Sequence, residues 1–145
     1  MNQYIGIYRR CELLFMRCQL EQYGLQPLEG KILFFLKKNC FNQEEIGQNF
    51  DIDKGRIARA LAELEERGMV CRRVNQKNKR QKMVTLTSQG EQIVLELEAI
   101  FRKWDEICYA GFSEEELRLH QDFVKRIAEN AVEYRRRQGE GEHGK

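Results

Sequence analysis

Apolar residues recur at helical spacing along most of the chain and at alternate positions in one short part of it. Tyr4, Tyr8, Cys11, Phe15, Cys18 and Gln22 stand four and three residues apart, with Ile5, Ile7 and Leu14 beside them. The first helix therefore carries an apolar sector too wide for a single neighbour. Gly24 ends it, and Pro27 suits the first position of a second helix with core candidates Leu28, Ile32, Leu33, Phe35 and Leu36, reaching about Asn39. In FNQEEIGQNF, Asn42 and Glu45 have capping-box spacing for a helix of about two turns. Asp53 then caps a helix from Lys54 to Arg67, with Ile57, Ala60, Leu61 and Leu64 inward and Gly68 as its stop.

The period next changes to two. MVCRRV and MVTL alternate as a strand pair whose tip spans Asn75 to Arg80. Ser88 and Glu91 again have capping-box spacing, and Ile93, Leu97, Ile100, Trp104 and Ile107 follow, with Val94, Phe101 and Cys108 in the adjacent column. Ser113 and Glu116 open a last helix, striped by Leu117, His120, Phe123, Val124, Ile127, Ala131 and Tyr134 to about Arg137. The tail QGEGEHGK, 138–145, reads as disordered. The expected fold is mainly α with a small antiparallel β-hairpin. Two helices joined by a few residues, then Gly68, then a strand, is the order of a helix-turn-helix with a wing. The first helix (1–24) and the last two (88–137) expose more apolar surface than a small winged domain (25–87) covers, so a homodimer based on them is expected. The alternative is an elongated monomer with an internal bundle.

Charge sharpens this picture. The 145 residues are 41% hydrophobic and 33% charged with a net charge of +2, yet ten Lys or Arg stand against three Glu between Lys54 and Lys82. Elsewhere 15 basic residues face 20 acidic ones. Arg72, Arg73, Lys77, Lys79, Arg80 and Lys82 lie on the strand pair with no carboxylate among them. A hairpin that repels itself is stabilised by an external polyanion, because clustered cations release condensed counterions; a merely solvated basic face is the competing reading. In a helix-turn-helix the second helix enters the major groove of double-stranded DNA. Its outward residues near the start are Lys54, Gly55, Arg56 and Arg59, and both arginines suit guanine O6 and N7.

No apolar run approaches a membrane span, and MNQYIGIYRR lacks the order of a signal peptide. A cytoplasmic protein with no membrane partner is expected. Five cysteines, never spaced as CxxC, argue against a disulfide framework or a zinc site, and most of them read as packed, reduced thiols. Cys11 and Cys18, near Arg10 and Arg17, are the candidates for redox sensing. No H-E-x-x-H pattern, Cys/His dyad or glycine-rich phosphate loop occurs, so no catalytic residue, metal or cofactor is expected and the protein reads as a non-enzyme.

Three segments, LQPLEGKILFFL, NQEEIGQNFDIDKGRIARALAELEERGMVCRR and NKRQKMVTLTSQGEQI, together cover roughly residues 25–93. They resemble the MarR (multiple antibiotic resistance regulator) transcription factors, the last resembling that family's D-x-R wing pattern followed by L-T-x-x-G. The resemblance implies a winged helix-turn-helix homodimer with Arg80 in a minor groove and Lys77, Lys79 and Lys82 on phosphates. It also implies a transcriptional regulator, a repressor at an inverted-repeat operator. Release would follow binding of a small aromatic or phenolic effector, or oxidation. Asn78 stands where the family usually has Asp, and Gln26 where it usually has Thr. A winged module that binds an acidic protein, or DNA without sequence preference, is the alternative. Tyr4, Tyr8, Phe15, Phe34, Phe35 and Trp104 are candidates for an effector cavity or for core.

Overall fold

The computed structural model describes residues 1–143. In chain order it contains α1 (Gln3–Leu20), a 3₁₀ turn (Glu21–Tyr23), α2 (Pro27–Phe35), β1 (Phe41–Asn42), α3 (Gln43–Phe50), α4 (Lys54–Glu66), β2 (Val70–Asn75), β3 (Asn78–Leu86), α5 (Ser88–Cys108) and α6 (Glu114–His143). The chain divides into two compact units, the first ending at Trp104 and the second starting at Asp105. Among the described residues, no helix is long and apolar enough to cross a membrane.

Local chemistry explains most boundaries. Asn42 Oδ1 accepts the Glu45 N–H at 2.8 Å and the Glu45 carboxylate accepts the Asn42 N–H at 3.1 Å, which satisfies orphan donors at the start of α3. Asp53 caps α4 through the Arg56 N–H at 2.9 Å. Glu29, itself buried, accepts the Gln26 N–H at 2.7 Å, so α2 gains from its third residue and from Pro27 what Gln26 lacks as a cap. Gly68, with φ 75°, lets the chain turn out of α4 directly into β2. In the second unit, Ser113 and Glu116 cap α6 reciprocally at 3.1 and 3.0 Å.

Several boundaries differ from the sequence reading. The sheet has three antiparallel strands in the order β1-β3-β2, not a lone pair. β1 is two residues long and pairs Phe41 with Val84, so it has no alternating run to show in sequence. α2 ends at Phe35, before Asn39, to free the segment leading into β1. The turn between β2 and β3 is only Gln76 and Lys77, so Asn78, Lys79 and Arg80 belong to β3 and not to the tip. α6 stays helical through His143, past Arg137 and through six of the eight residues expected to be disordered, with no proline to stop it; 144–145 lie outside the described residues.

The first unit is organised by side chains with no exposure at all: Leu20, Ile32, Leu33, Ile46, Ile57, Leu61, Leu64, Val84 and Leu97. Burying each such side chain contributes about 1.5 to 3 kcal/mol. The inward face of α4 is the expected one, Ile57, Ala60, Leu61 and Leu64. α1 differs: Met16 and Leu20 are buried, while Tyr4, Ile5 and Leu14 are 70%, 57% and 65% exposed. Trp104 joins this unit by stacking on Phe15 at 4.8 Å and donating its indole N–H to Tyr8 Oη at 3.2 Å. In the second unit none of residues 114–139 of α6 is buried, and Phe123, Val124, Ile127 and Tyr134 face outward.

The junction between wing and α5 is closely packed. Thr87, not Ser88, caps α5: its Oγ1 accepts the Gly90 N–H at 3.1 Å and donates to the Gly68 carbonyl at 2.6 Å. One hydroxyl thus ties the end of α4 to the start of α5. A Cβ on Gly90 would lie 2.1 Å from the Met69 carbonyl oxygen, so only glycine fits there. Gly90→Ala is expected to destabilise the protein by about 3 kcal/mol, because backbone must shift to relieve the overlap. A lowered urea midpoint with an unchanged slope checks this.

Candidate nucleic-acid interface

α3 and α4 meet through a short connection in which Asp51 adopts φ 53° and closes the end of α3. The stripe that docks α4 leaves its opposite side outward, and there Lys54, Gly55, Arg56 and Arg59 are all exposed, as the sequence placed them. Among the described residues neither Arg56 nor Arg59 forms an ion pair, so both guanidinium groups keep their donors for an external acceptor. Arg59 Nη1 lies 3.8 Å from the position a Cβ on Gly55 would occupy. Gly55 thereby opens the space into which Arg59 reaches back toward the start of the helix.

The wing cations are not one group. Register places Arg72 opposite Val84 and Val74 opposite Lys82, so Arg72 and Lys82 share a face of the β2–β3 ribbon. Arg73 pairs with Met83 and points to the other face, away from them. On the shared side an open cleft of about 350 Å³ brings Lys54, Arg72, Arg80 and Lys82 together with Asn42, Gln43, Glu44 and Gln81. Cations from α4 and from both long strands therefore converge on one concavity beside the start of α3. Lys77 and Lys79 are exposed near the turn and do not line the cleft.

Between Val74 and Asn75 the register jumps, so that Lys79, Arg80 and Gln81 form a bulge in β3. Two asparagines brace it. Asn75 Oδ1 accepts the Lys77 N–H at 3.0 Å, and Asn78 Oδ1 accepts the Arg80 N–H at 3.1 Å. Asn78 thus holds the backbone of Arg80 directly, a role an amide fills as well as a carboxylate.

Sequence reasoning missed Glu65. Its carboxylate accepts two bonds from Arg72, Nε at 3.2 Å and Nη2 at 3.1 Å, and so links α4 to the wing. The Arg72 hydrogen bond holds the Glu65 carboxyl below the usual carboxylate range, partly opposed by burial. Arg72, expected to face DNA, is half-buried and engaged by this acid. The seven-residue separation across a turn and two elements left no local spacing to mark the pair. A further strut, Arg67, donates Nη1 to the Gly24 carbonyl at 2.7 Å and Nη2 to that of Tyr23.

The cysteines also depart from expectation. Cys11, Cys18 and Cys40 are exposed and Cys71 and Cys108 half-buried, so none of the five is a packed core thiol. Helical spacing marked Cys11 and Cys18 as inward, but the buried side of α1 runs through Met16 and Leu20. Among the described residues no group of three or more His, Cys, Asp or Glu is arranged to hold a metal ion.

This arrangement, a docked outward-facing helix beside a braced cationic ribbon, has known counterparts. A family model described as the MarR family matches residues 23–81. The HTH-type transcriptional regulator BilQ of Clostridium symbiosum (strain WAL-14163) is 30% identical over 114 residues, 78% of this chain and 79% of that protein. The chain belongs to the MarR family. The crystal structure of MarR superposes with a TM-score of 0.73 at 28% identity, covering 91% of this chain and 90% of that one. The MepR–DNA complex of S. aureus shares the fold, with a TM-score of 0.77 at 20% identity over 90% and 98% of the two chains. As a MarR-family transcriptional regulator the chain is a DNA-binding protein of winged-helix architecture. Its relatives are regulators rather than enzymes.

Because Asn78 Oδ1 accepts the Arg80 amide, Asn78→Ala is expected to speed exchange of that N–H about tenfold, the loss of one net hydrogen bond. Amides within α4 should keep their wild-type rates in the same hydrogen-exchange experiment.

Proposed function

We propose that this MarR-family protein acts in the cytoplasm as a homodimeric repressor at an inverted-repeat operator. The observation that carries the reading is the pair of unpaired guanidinium groups, Arg56 and Arg59, on the outward face of α4 beside the cleft that gathers Lys54, Arg72, Arg80 and Lys82. In this reading α4 lies in the major groove, where Arg56 and Arg59 read base edges and Lys54 and Gly55 meet the backbone. The bulge offers Arg80 to the adjacent minor groove, and Lys77, Lys79 and Lys82 neutralise phosphates. Arg73, on the far face of the ribbon, serves flanking backbone.

Dimerisation is supported by apolar surface that each unit leaves uncovered: Tyr4, Ile5, Ile7 and Leu14 on α1, and Phe123, Val124, Ile127 and Tyr134 on α6. A second copy related by a two-fold axis covers such surface. It also sets two recognition helices about 34 to 36 Å apart, one helical turn of DNA. The releasing signal in this reading is a small aromatic or phenolic effector, or oxidation of Cys11 or Cys18, whose exposure on α1 makes both thiols accessible.

Arg56→Ala or Arg59→Ala should relax sequence preference at particular operator positions by about 1 to 3 kcal/mol each. Lys77→Ala should weaken all duplexes alike and flatten the salt dependence. Competition titrations over a panel of single-base operator variants, selected from genomic fragments, test the assignment. Equal losses on every sequence for both arginine variants would remove α4 as the reader. Sedimentation equilibrium should return twice the 17.3 kDa chain mass.

A further inference from the structure

Glu65 presents a paradox on a surface that binds a polyanion. It is a carboxylate next to the cationic cleft, and removing it would make the face more positive. Simple electrostatics would therefore have Glu65 oppose DNA binding. Its neighbours Glu63 and Glu66 are exposed and form no ion pair among the described residues, as expected of acids on a solvated helix flank. Glu65 instead takes a two-point contact with Arg72, through Oε2 at 3.2 Å and Oε1 at 3.1 Å. A planar guanidinium held at two points fixes orientation as well as distance.

The position of Arg72 in the ribbon decides what this contact controls. Arg72 lies opposite Val84, which is fully buried, and Val74 next along the same face is opposite Lys82. Lys82 acts on the Glu65 carboxyl through its charge as well, so one acid faces cations from both long strands. Beyond Val74 the pairing is interrupted by the bulge at Lys79–Gln81, and past that point only the Asn75–Asn78 pair and the turn remain. Arg72 and Lys82 are thus the last paired cations on that face before the segment that carries Arg80. Resting on the DNA-binding reading above, we infer that Glu65 is a positioning residue: through Arg72 it latches the wing to α4 and sets where Arg80 meets the minor groove. It touches no DNA itself. The recognition helix thereby carries the anchor for the wing as well as the residues that read bases.

The experiment uses the full-length protein and a duplex recovered by selection for wild-type binding. Affinity is measured for wild type, Glu65→Ala, Glu63→Ala and the exchanged pair Glu65→Arg with Arg72→Glu, each with and without the minor-groove ligand distamycin. Glu65→Ala should bind about tenfold more weakly despite its added positive charge, the fold-change expected when a charged hydrogen-bonded contact is lost. Its residual binding should no longer respond to distamycin, because the wing has left the groove. Base preferences set by Arg56 and Arg59 should persist, which a general loss of folding would not allow. Glu63→Ala should bind as well as wild type or better. The exchanged pair, with unchanged net charge, should recover both affinity and distamycin sensitivity. If Glu65→Ala binds as tightly as Glu63→Ala and stays sensitive to distamycin, the latch is refuted. Failure of the exchanged pair to recover, with its unfolding midpoint intact, also refutes it. Failure of wild type to prefer any duplex would instead overturn the DNA-binding reading on which the latch rests.

Discussion

Docking of α4 through Ile57, Ala60, Leu61 and Leu64 is the constraint on which the surface of this protein depends. These four side chains occupy one stripe of a helix and are buried. Because a helix has only one rotation about its axis that buries a given stripe, the same packing decides that Lys54, Arg56 and Arg59 face outward. The exposure of these cations follows from apolar burial on the opposite side. The caps at Asp53 and Gly68 then set where this helix begins and where the chain leaves it for the wing.

The wing meets a different physical problem, that of assembling like charges on a narrow ribbon. Three features manage it. The strands turn Arg73 to one face and Arg72 and Lys82 to the other, which separates part of the charge. Glu65 supplies the opposing charge from α4. Asn75 and Asn78 hold the backbone of the turn and bulge through their side-chain oxygens, without adding an anion that would repel phosphate. The basic character of the ribbon survives while its shape is fixed from within.

At the base of the wing, Thr87 and Gly90 bring the end of α4 and the start of α5 within hydrogen-bonding contact. Any rotation of α5 in the first unit must either carry the Gly68 carbonyl with it or break a 2.6 Å bond. The L-T-x-x-G pattern thus has a mechanical meaning in this chain: threonine bridges two helix ends and glycine permits the approach of the Met69 carbonyl. Apolar side chains left outward on α1 and α6 complete the description, since exposed faces of this kind favour association.

Local chemistry was legible in the residues themselves. Asn42 with Glu45, Asp53, Ser113 with Glu116 and Gly68 mark helix ends, because capping acts over three or four residues. The period of Ile57, Ala60, Leu61 and Leu64 was enough to orient α4, and charge density alone singled out the ribbon. What required the folded chain were relations between segments distant in sequence or too short to show a period. The two-residue β1, the contact of Thr87 with Gly68, the inward turn of Met16 and Leu20 on α1, and the capture of Arg72 by Glu65 all belong to this class. A sequence states which side chains can pair or pack; only tertiary packing, by excluding all but one arrangement of neighbours, decides which of them do.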